Sequence, residues 1–76
     1  MKVEYEPSGL SDVKNLNLDP IQFSEAVQIW VDQNQENINP NGGTANINFN
    51  GRNNLVTYNV NNGTFFIVHV SCISSD

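Results

Sequence analysis

The feature that most constrains the fold is the last third of the chain, residues 54–73, which has the pattern of a β-hairpin. Two runs rich in β-branched and aromatic residues, 55–60 and 64–73, flank a turn that contains Asn62 and Gly63. Both runs are too short and too β-branched for helices. Because side chains alternate between the two faces of a strand, the length of the turn decides which side chains point to the core.

Two turn lengths are open. With a two-residue turn of Asn62 and Gly63, the apolar residues of the first strand share a face with a set that includes a histidine, namely Phe65, Ile67 and His69. With a three-residue turn that also contains Asn61, they share a face with a set that is apolar throughout, namely Phe66, Val68, Val70 and Cys72. We therefore predict the three-residue turn.

The predicted turn places Phe65 and Ile67 on the opposite face of the hairpin, beside His69. Either the N-terminal segment covers this face, or Phe65, Ile67 and His69 form an exposed contact surface, since monomers seldom leave large apolar patches uncovered.

The clearest helix signal begins at Asp19, a favourable N-cap, and Pro20, which suits the first helical position. A helix is predicted from Pro20 to about Asn34. Its apolar stripe at helical spacing should pack on the sheet and consists of Phe23, Ala26, Val27, Trp30 and Val31.

Two further segments, 2–6 and 44–50, alternate between apolar and polar residues as strands do. If residues 51–54 form a loop, Phe49 lies opposite Val56. Residues 10–18 indicate no more than one helical turn. The prediction is a single α+β domain, with one helix packed on a three- to four-stranded antiparallel sheet in the order β-α-β-β-β.

Composition excludes several classes of function. The chain of 76 residues has a net charge of −5, and its three Lys and Arg residues are scattered, which argues against direct nucleic-acid binding. No run is long enough to span a membrane, and a single cysteine agrees with a reducing compartment. We expect a cytoplasmic protein whose partner is basic, because an acidic surface speeds the approach of such a partner.

No pattern for catalysis, metal binding or a cofactor withstands inspection. His69 and Cys72 are three residues apart, which places them on opposite faces of a strand. The segment that begins at Asp32 resembles a calcium loop in its first positions, but it has Asn37 where glycine is needed and Gly43 where glutamate is needed. We predict that the protein is not an enzyme.

The outer side of the predicted helix carries an acidic stripe with an apolar residue among the charges, namely Glu25, Asp32 and Glu36 around Ile29. An apolar anchor ringed by charge is a common form of small binding epitope. Small acidic proteins without motifs are frequent among phage and mobile-element products that block host nucleases, such as anti-CRISPR proteins, although this is an analogy of size and charge only.

The prediction is therefore a protein-binding module, an inhibitor of a larger, basic protein that handles nucleic acid. The alternative is a self-associating structural or adaptor protein that dimerises through its last strand or through the Phe65 and Ile67 face.

Overall fold

The computed structural model describes residues 1–74, and within them the chain forms two α-helices, a short 3-10 helix and a four-stranded sheet. The elements are β1 (Lys2–Tyr5), α1 (Pro7–Asn15), α2 (Pro20–Gln33), the 3-10 helix (Gln35–Asn37), β2 (Gly43–Phe49), β3 (Arg52–Asn61) and β4 (Thr64–Ser74). The strand order is β1-β4-β3-β2, with β1 parallel to β4 and the other pairs antiparallel. The α+β class is confirmed, whereas the predictions of a single helix and of a purely antiparallel sheet are wrong.

Helix α2 has the bounds and the cap that the sequence predicts. The carboxylate of Asp19 accepts hydrogen bonds from the backbone N–H groups of Ile21 and Gln22, at 2.9 and 3.1 Å. These contacts satisfy two of the donors that a helix start leaves open, and Pro20 follows at the first helical position, where its missing N–H has no cost.

Helix α1 is longer than the single turn predicted for this region. It begins at Pro7, a residue more easily interpreted as the end of a strand, and it contains Gly9, an unfavourable residue inside a helix. Gly9 is buried where α1 crosses β4, and a Cβ there would lie 2.8 Å from the carbonyl carbon of Ile67 and still closer to its oxygen. Glycine is therefore required by the close approach of two backbones.

The turn between β3 and β4 has two residues, so the predicted three-residue turn is wrong. Asn62 and Gly63 both have positive φ, 52° and 75°, which is the requirement of a type I′ turn. Val60 consequently lies opposite Phe65, and both Phe65 and Ile67 point to the core rather than to solvent.

A β-bulge at Val68 then reverses the alternation of β4. Tyr58 pairs with Ile67, but the next pair along the ladder is Thr57 with His69, so Val68 is an extra residue without a partner across the ladder. After this shift Val70, not His69, is the next buried residue. The strand thus buries apolar residues on both sides of the bulge and leaves its histidine exposed.

The turn between β2 and β3 is also a two-residue Asn-Gly turn, formed by Asn50 and Gly51 with φ of 53° and 76°. Phe49 therefore pairs with Arg52 and Ala45 with Val56, so the predicted pairing of Phe49 with Val56 is wrong. The predicted alternation of β2 is nevertheless correct, since its apolar residues point inward: Ala45 and Ile47 are buried, and Phe49 packs against the core.

Both helices contribute to a core that lies on one face of the sheet. The buried apolar residues of the described chain are Val13, Phe23, Val27, Val31, Ala45, Ile47, Val56, Tyr58, Phe65, Ile67 and Val70.

Candidate protein-binding surface

The orientation of α2 is fixed by its buried side. Phe23, Val27 and Val31 are fully buried, and the ring of Phe23 meets that of Phe49 edge to face, with centroids 5.5 Å apart. Trp30 is half-buried and packs against the core, which agrees with its predicted place in the apolar stripe. Because these contacts fix the rotation of the helix, its opposite side must face solvent.

The exposed side of α2 carries two isoleucines. Ile29 is 59% exposed and Ile21 is 72% exposed, while Glu25 lies between them at helical spacing. We call the following set the α2 outer surface: Ile21, Glu25, Ile29, Asp32 and Glu36. The sequence interpretation included every member except Ile21, although its position four residues before Glu25 and eight before Ile29 places it in the same row.

The charge around this surface has one sign. From position 15 to position 51 the sequence contains no Lys, Arg or His, and its charged residues there are Asp19, Glu25, Asp32 and Glu36. Two carboxylates elsewhere have basic neighbours. Glu4 lies 3.7 Å from the ammonium of Lys2, and Asp12 lies 3.1 Å from the ring of His69. The five residues of the α2 outer surface therefore include three carboxylates and no cation, although β1 lies beside the helix, where the carbonyl of Met1 accepts from the side-chain amide of Gln28 at 2.9 Å.

The position of Asp32 is unfavourable for the helix itself. It lies in the last turn of α2, where the macrodipole is negative, and no basic residue occupies that turn. The side-chain amide of Gln28 donates a hydrogen bond to its carboxylate at 3.0 Å, but this contact brings no compensating charge. Helix stability therefore does not explain a carboxylate at this place.

Asp32 and Glu36 also line a shallow depression just beyond the end of α2, formed by residues 32–37. Its walls are polar side chains and backbone. Among the described residues no group of three or more His, Cys, Asp or Glu side chains is placed to hold a metal ion.

Of the two alternatives for Phe65 and Ile67, the structure excludes the exposed contact surface and agrees with coverage by the N-terminal segment, since Gly9 of α1 lies against Ile67. Both are fully buried beneath the helices, and the ring of Phe65 stacks on Tyr58 with centroids 4.4 Å apart. A dimer through this face would require the core to open. The last strand is also an interior strand, since β4 has β1 on one side and β3 on the other.

His69 is exposed, as predicted, but it does not lie with Phe65 and Ile67. Its Nδ1 lies 3.1 Å from Asp12 on α1, and the same carboxylate oxygen accepts the backbone N–H of Val70 at 2.9 Å. The Val70 N–H, and then the His69 ring, hold the pKa of Asp12 below its ordinary value. Asp12 therefore ties α1 to β4 just beyond the bulge.

The structure shows that Asp12 contacts and orients the ring of His69. No pattern in the sequence indicates this contact. Cys72 nevertheless lies on the other face of β4, since no register shift separates it from His69. Tyr58, another side chain capable of acid–base chemistry, is buried, and its hydroxyl accepts the backbone N–H of Asn39 at 3.0 Å. These three side chains do not converge on one site.

No described helix is both long and apolar enough to cross a membrane. Searches with the sequence and the structure match no protein-family model, no curated protein and no solved structure.

Proposed function

We propose that this chain is a protein-binding module that docks its α2 outer surface on a basic partner. The observation that carries the proposal is the pair of exposed isoleucines, Ile21 and Ile29, within a surface that has carboxylates and no cation. Apolar anchors supply most of the binding energy of a small epitope, and surrounding charge selects and steers the partner.

The partner that best fits this chemistry is a larger protein with a basic cleft for nucleic acid. Such clefts bind phosphates through Lys and Arg, so a rigid row of carboxylates can occupy them in place of the phosphates. The chain would then act as an inhibitor in the cytoplasm, as small acidic products of phages and mobile elements do. Direct nucleic-acid binding does not fit, because the α2 outer surface would repel phosphates.

The anchors can supply useful affinity. Burial of an isoleucine side chain contributes about 1.5–3 kcal/mol, so two of them contribute about 3–6 kcal/mol before the cost of association. That contribution alone is insufficient for tight binding, which corresponds to about 12 kcal/mol at nanomolar affinity. Charge complementarity over Glu25, Asp32 and Glu36 must therefore add to it, and binding should weaken with salt.

The test begins with capture of partners from the native cell lysate at low salt. The captured protein is then purified, and its affinity is measured by calorimetry at several salt concentrations. The variant that carries Glu25→Gln, Asp32→Asn and Glu36→Gln should bind more weakly and with a flatter salt dependence. Ile29→Ala should also bind more weakly, but with the salt dependence of the wild type, because it removes no charge.

Glu4→Gln is the control for loss of one negative charge, since it removes an exposed carboxylate of β1 that is not part of the α2 outer surface. Duplex DNA should compete with the protein for the partner if the contact is with a nucleic-acid cleft. Unchanged affinity of both the charge variant and Ile29→Ala would exclude the α2 outer surface. Simultaneous binding of DNA and this protein would exclude the cleft.

A further inference from the structure

The sheet has two edge strands, β1 and β2, and an interior strand, β4, that β1 covers only over residues 64–67, and these strands differ in how their outward backbone is protected. The edge strand β1 is only four residues long and carries the charged pair Lys2 and Glu4 on its exposed side. Short length and charge are standard means by which proteins keep edge strands from pairing with other chains.

The strand β4 loses β1 as a neighbour after Ile67, where its backbone would be open. Helix α1 covers this stretch with side chains at helical spacing. The hydroxyl of Ser8 donates to the carbonyl of Val68 at 2.6 Å, and the carboxylate of Asp12 accepts the N–H of Val70 at 2.9 Å. These groups take the hydrogen bonds that a neighbouring strand would otherwise make.

The strand β2 forms the other edge and has none of these protections. It is seven residues long, contains no Lys, Pro or charged residue, and pairs with β3 in one unbroken register. Phe49 and Arg52 flank a two-residue turn and exchange hydrogen bonds, so the alternation of an antiparallel ladder turns the backbone of every second residue outward. These outward residues are Thr44, Asn46 and Asn48.

We propose that the free edge of β2 pairs with β2 of a second copy of this chain, and that the two sheets become one continuous sheet across a two-fold axis. The occupant follows from charge. A net charge of −5 makes most surfaces repel a second copy, but residues 37–51 carry no charge, so this edge adds no local charge repulsion between two copies.

The strand is also complementary to itself. An antiparallel pairing centred on Asn46 places Asn46 opposite its own copy and Thr44 opposite Asn48 on the exposed face. On the helix face it places Ala45 opposite Ile47. From Thr44 to Asn48, polar residues then meet polar residues, and apolar residues meet apolar residues.

Sedimentation at protein concentrations from about 1 µM to 1 mM, the range of weak to moderate association, should show a monomer–dimer equilibrium. Asn46→Lys should raise the dimer dissociation constant about two- to fivefold, because two ammonium groups would face each other across the axis. Asn46→Pro should do the same, since it removes an outward N–H and leaves the β2–β3 hydrogen bonds in place. Ser11→Lys, an equal charge change on the exposed side of α1, should leave the constant unchanged.

Amide hydrogen exchange gives a direct readout of the edge. In the wild type, the amides of Thr44, Asn46 and Asn48 should gain protection as the concentration rises, and circular dichroism confirms that each variant is folded. A wild type that stays monomeric throughout would overturn the proposal, as would a dimer that persists in both folded Asn46 variants. The proposal is separable from partner binding, because the charge variant of the α2 outer surface should dimerise like the wild type.

Discussion

Replacement of Gly9 by alanine should destabilise the protein, although the same change stabilises most helices. Alanine is favoured over glycine by about 1 kcal/mol inside a helix. At this position the new methyl group would overlap the carbonyl of Ile67, which is backbone and cannot turn aside. Excess volume in a packed interior typically costs about 1–3 kcal/mol.

If α1 moves away from β4 to relieve the overlap, it weakens the hydrogen bonds that hold it there. They are the bonds from Glu6 N to the Ile67 carbonyl (2.9 Å), from Ser8 to Val68 and from Val70 to Asp12. At about 0.5–1.5 kcal/mol each, their loss is comparable with the overlap it avoids. The two costs agree at about 1.5–3 kcal/mol. After subtraction of the gain in helix propensity, about 1 kcal/mol, we expect a net loss of about 0.5–2 kcal/mol, from a total of about 4–11 kcal/mol for a chain of this length.

The measurement is urea unfolding followed by the fluorescence of Trp30, the only tryptophan. With a slope near 1 kcal/mol per molar urea, the midpoint of Gly9→Ala should fall by about 0.5–2 M. Ser11→Ala is the matched control, since Ser11 lies in the same helix but is exposed, and it should raise stability by a few tenths of a kcal/mol through propensity. A midpoint for Gly9→Ala equal to or above that of the wild type would refute the close packing of α1 on β4.

Three further predictions concern charge. Asp32→Asn should raise the free energy of unfolding by about 0.3–1 kcal/mol in chemical denaturation, because it removes a negative charge from the helix C-terminus, and an unchanged value would contradict the dipole effect. Since the pKa of Asp12 is lowered in the folded protein, its contribution is present above the ordinary aspartate pKa and is lost as pH falls through the lowered value. Asp12→Asn should therefore flatten the loss of stability in an acid titration. Burial, and then the charge of Asp19, raise the pKa of Tyr5 to about 12, so stability should fall as pH rises from 10 towards 12, and Tyr5→Phe should abolish this component.

Local signals in the sequence were sufficient for the parts of the fold that depend on local physics. Asp19 and Pro20 define the start of α2 because a cap and a fixed φ act within one helical turn. The α2 outer surface follows from the same helical spacing, which is why Glu25, Ile29 and Asp32 are exposed as predicted. Whether this surface binds a partner stays a prediction.

The turn between β3 and β4 shows how a correct local signal can be outweighed by a wrong assumption about the strand that follows it. Asn62-Gly63 is a strong type I′ signal. If β4 alternated without interruption, however, a two-residue turn would bury His69, and for this reason the sequence favours a three-residue turn. The chain avoids that burial with the bulge at Val68, which moves His69 outward and Val70 inward. A bulge leaves no distinct pattern in a run of β-branched and aromatic residues, so the alternation of side chains along β4 does not indicate where the extra residue lies.

The sequence by itself therefore determined the α+β class, the boundaries of α2 and the inward face of β2, because periodicity and capping act between near neighbours. Only the tertiary structure decided the length of α1, the parallel place of β1 and the burial of Phe65 and Ile67. The reason is that Ser8, Gly9 and Asp12 contact residues of β4 that lie far along the chain. Ser8 and its partner Val68 are 60 residues apart, and Asp12 and its partner Val70 are 58 residues apart. Such contacts exist only once the helix lies on the strand, and they fix both the edge of the sheet and the register of its bulge.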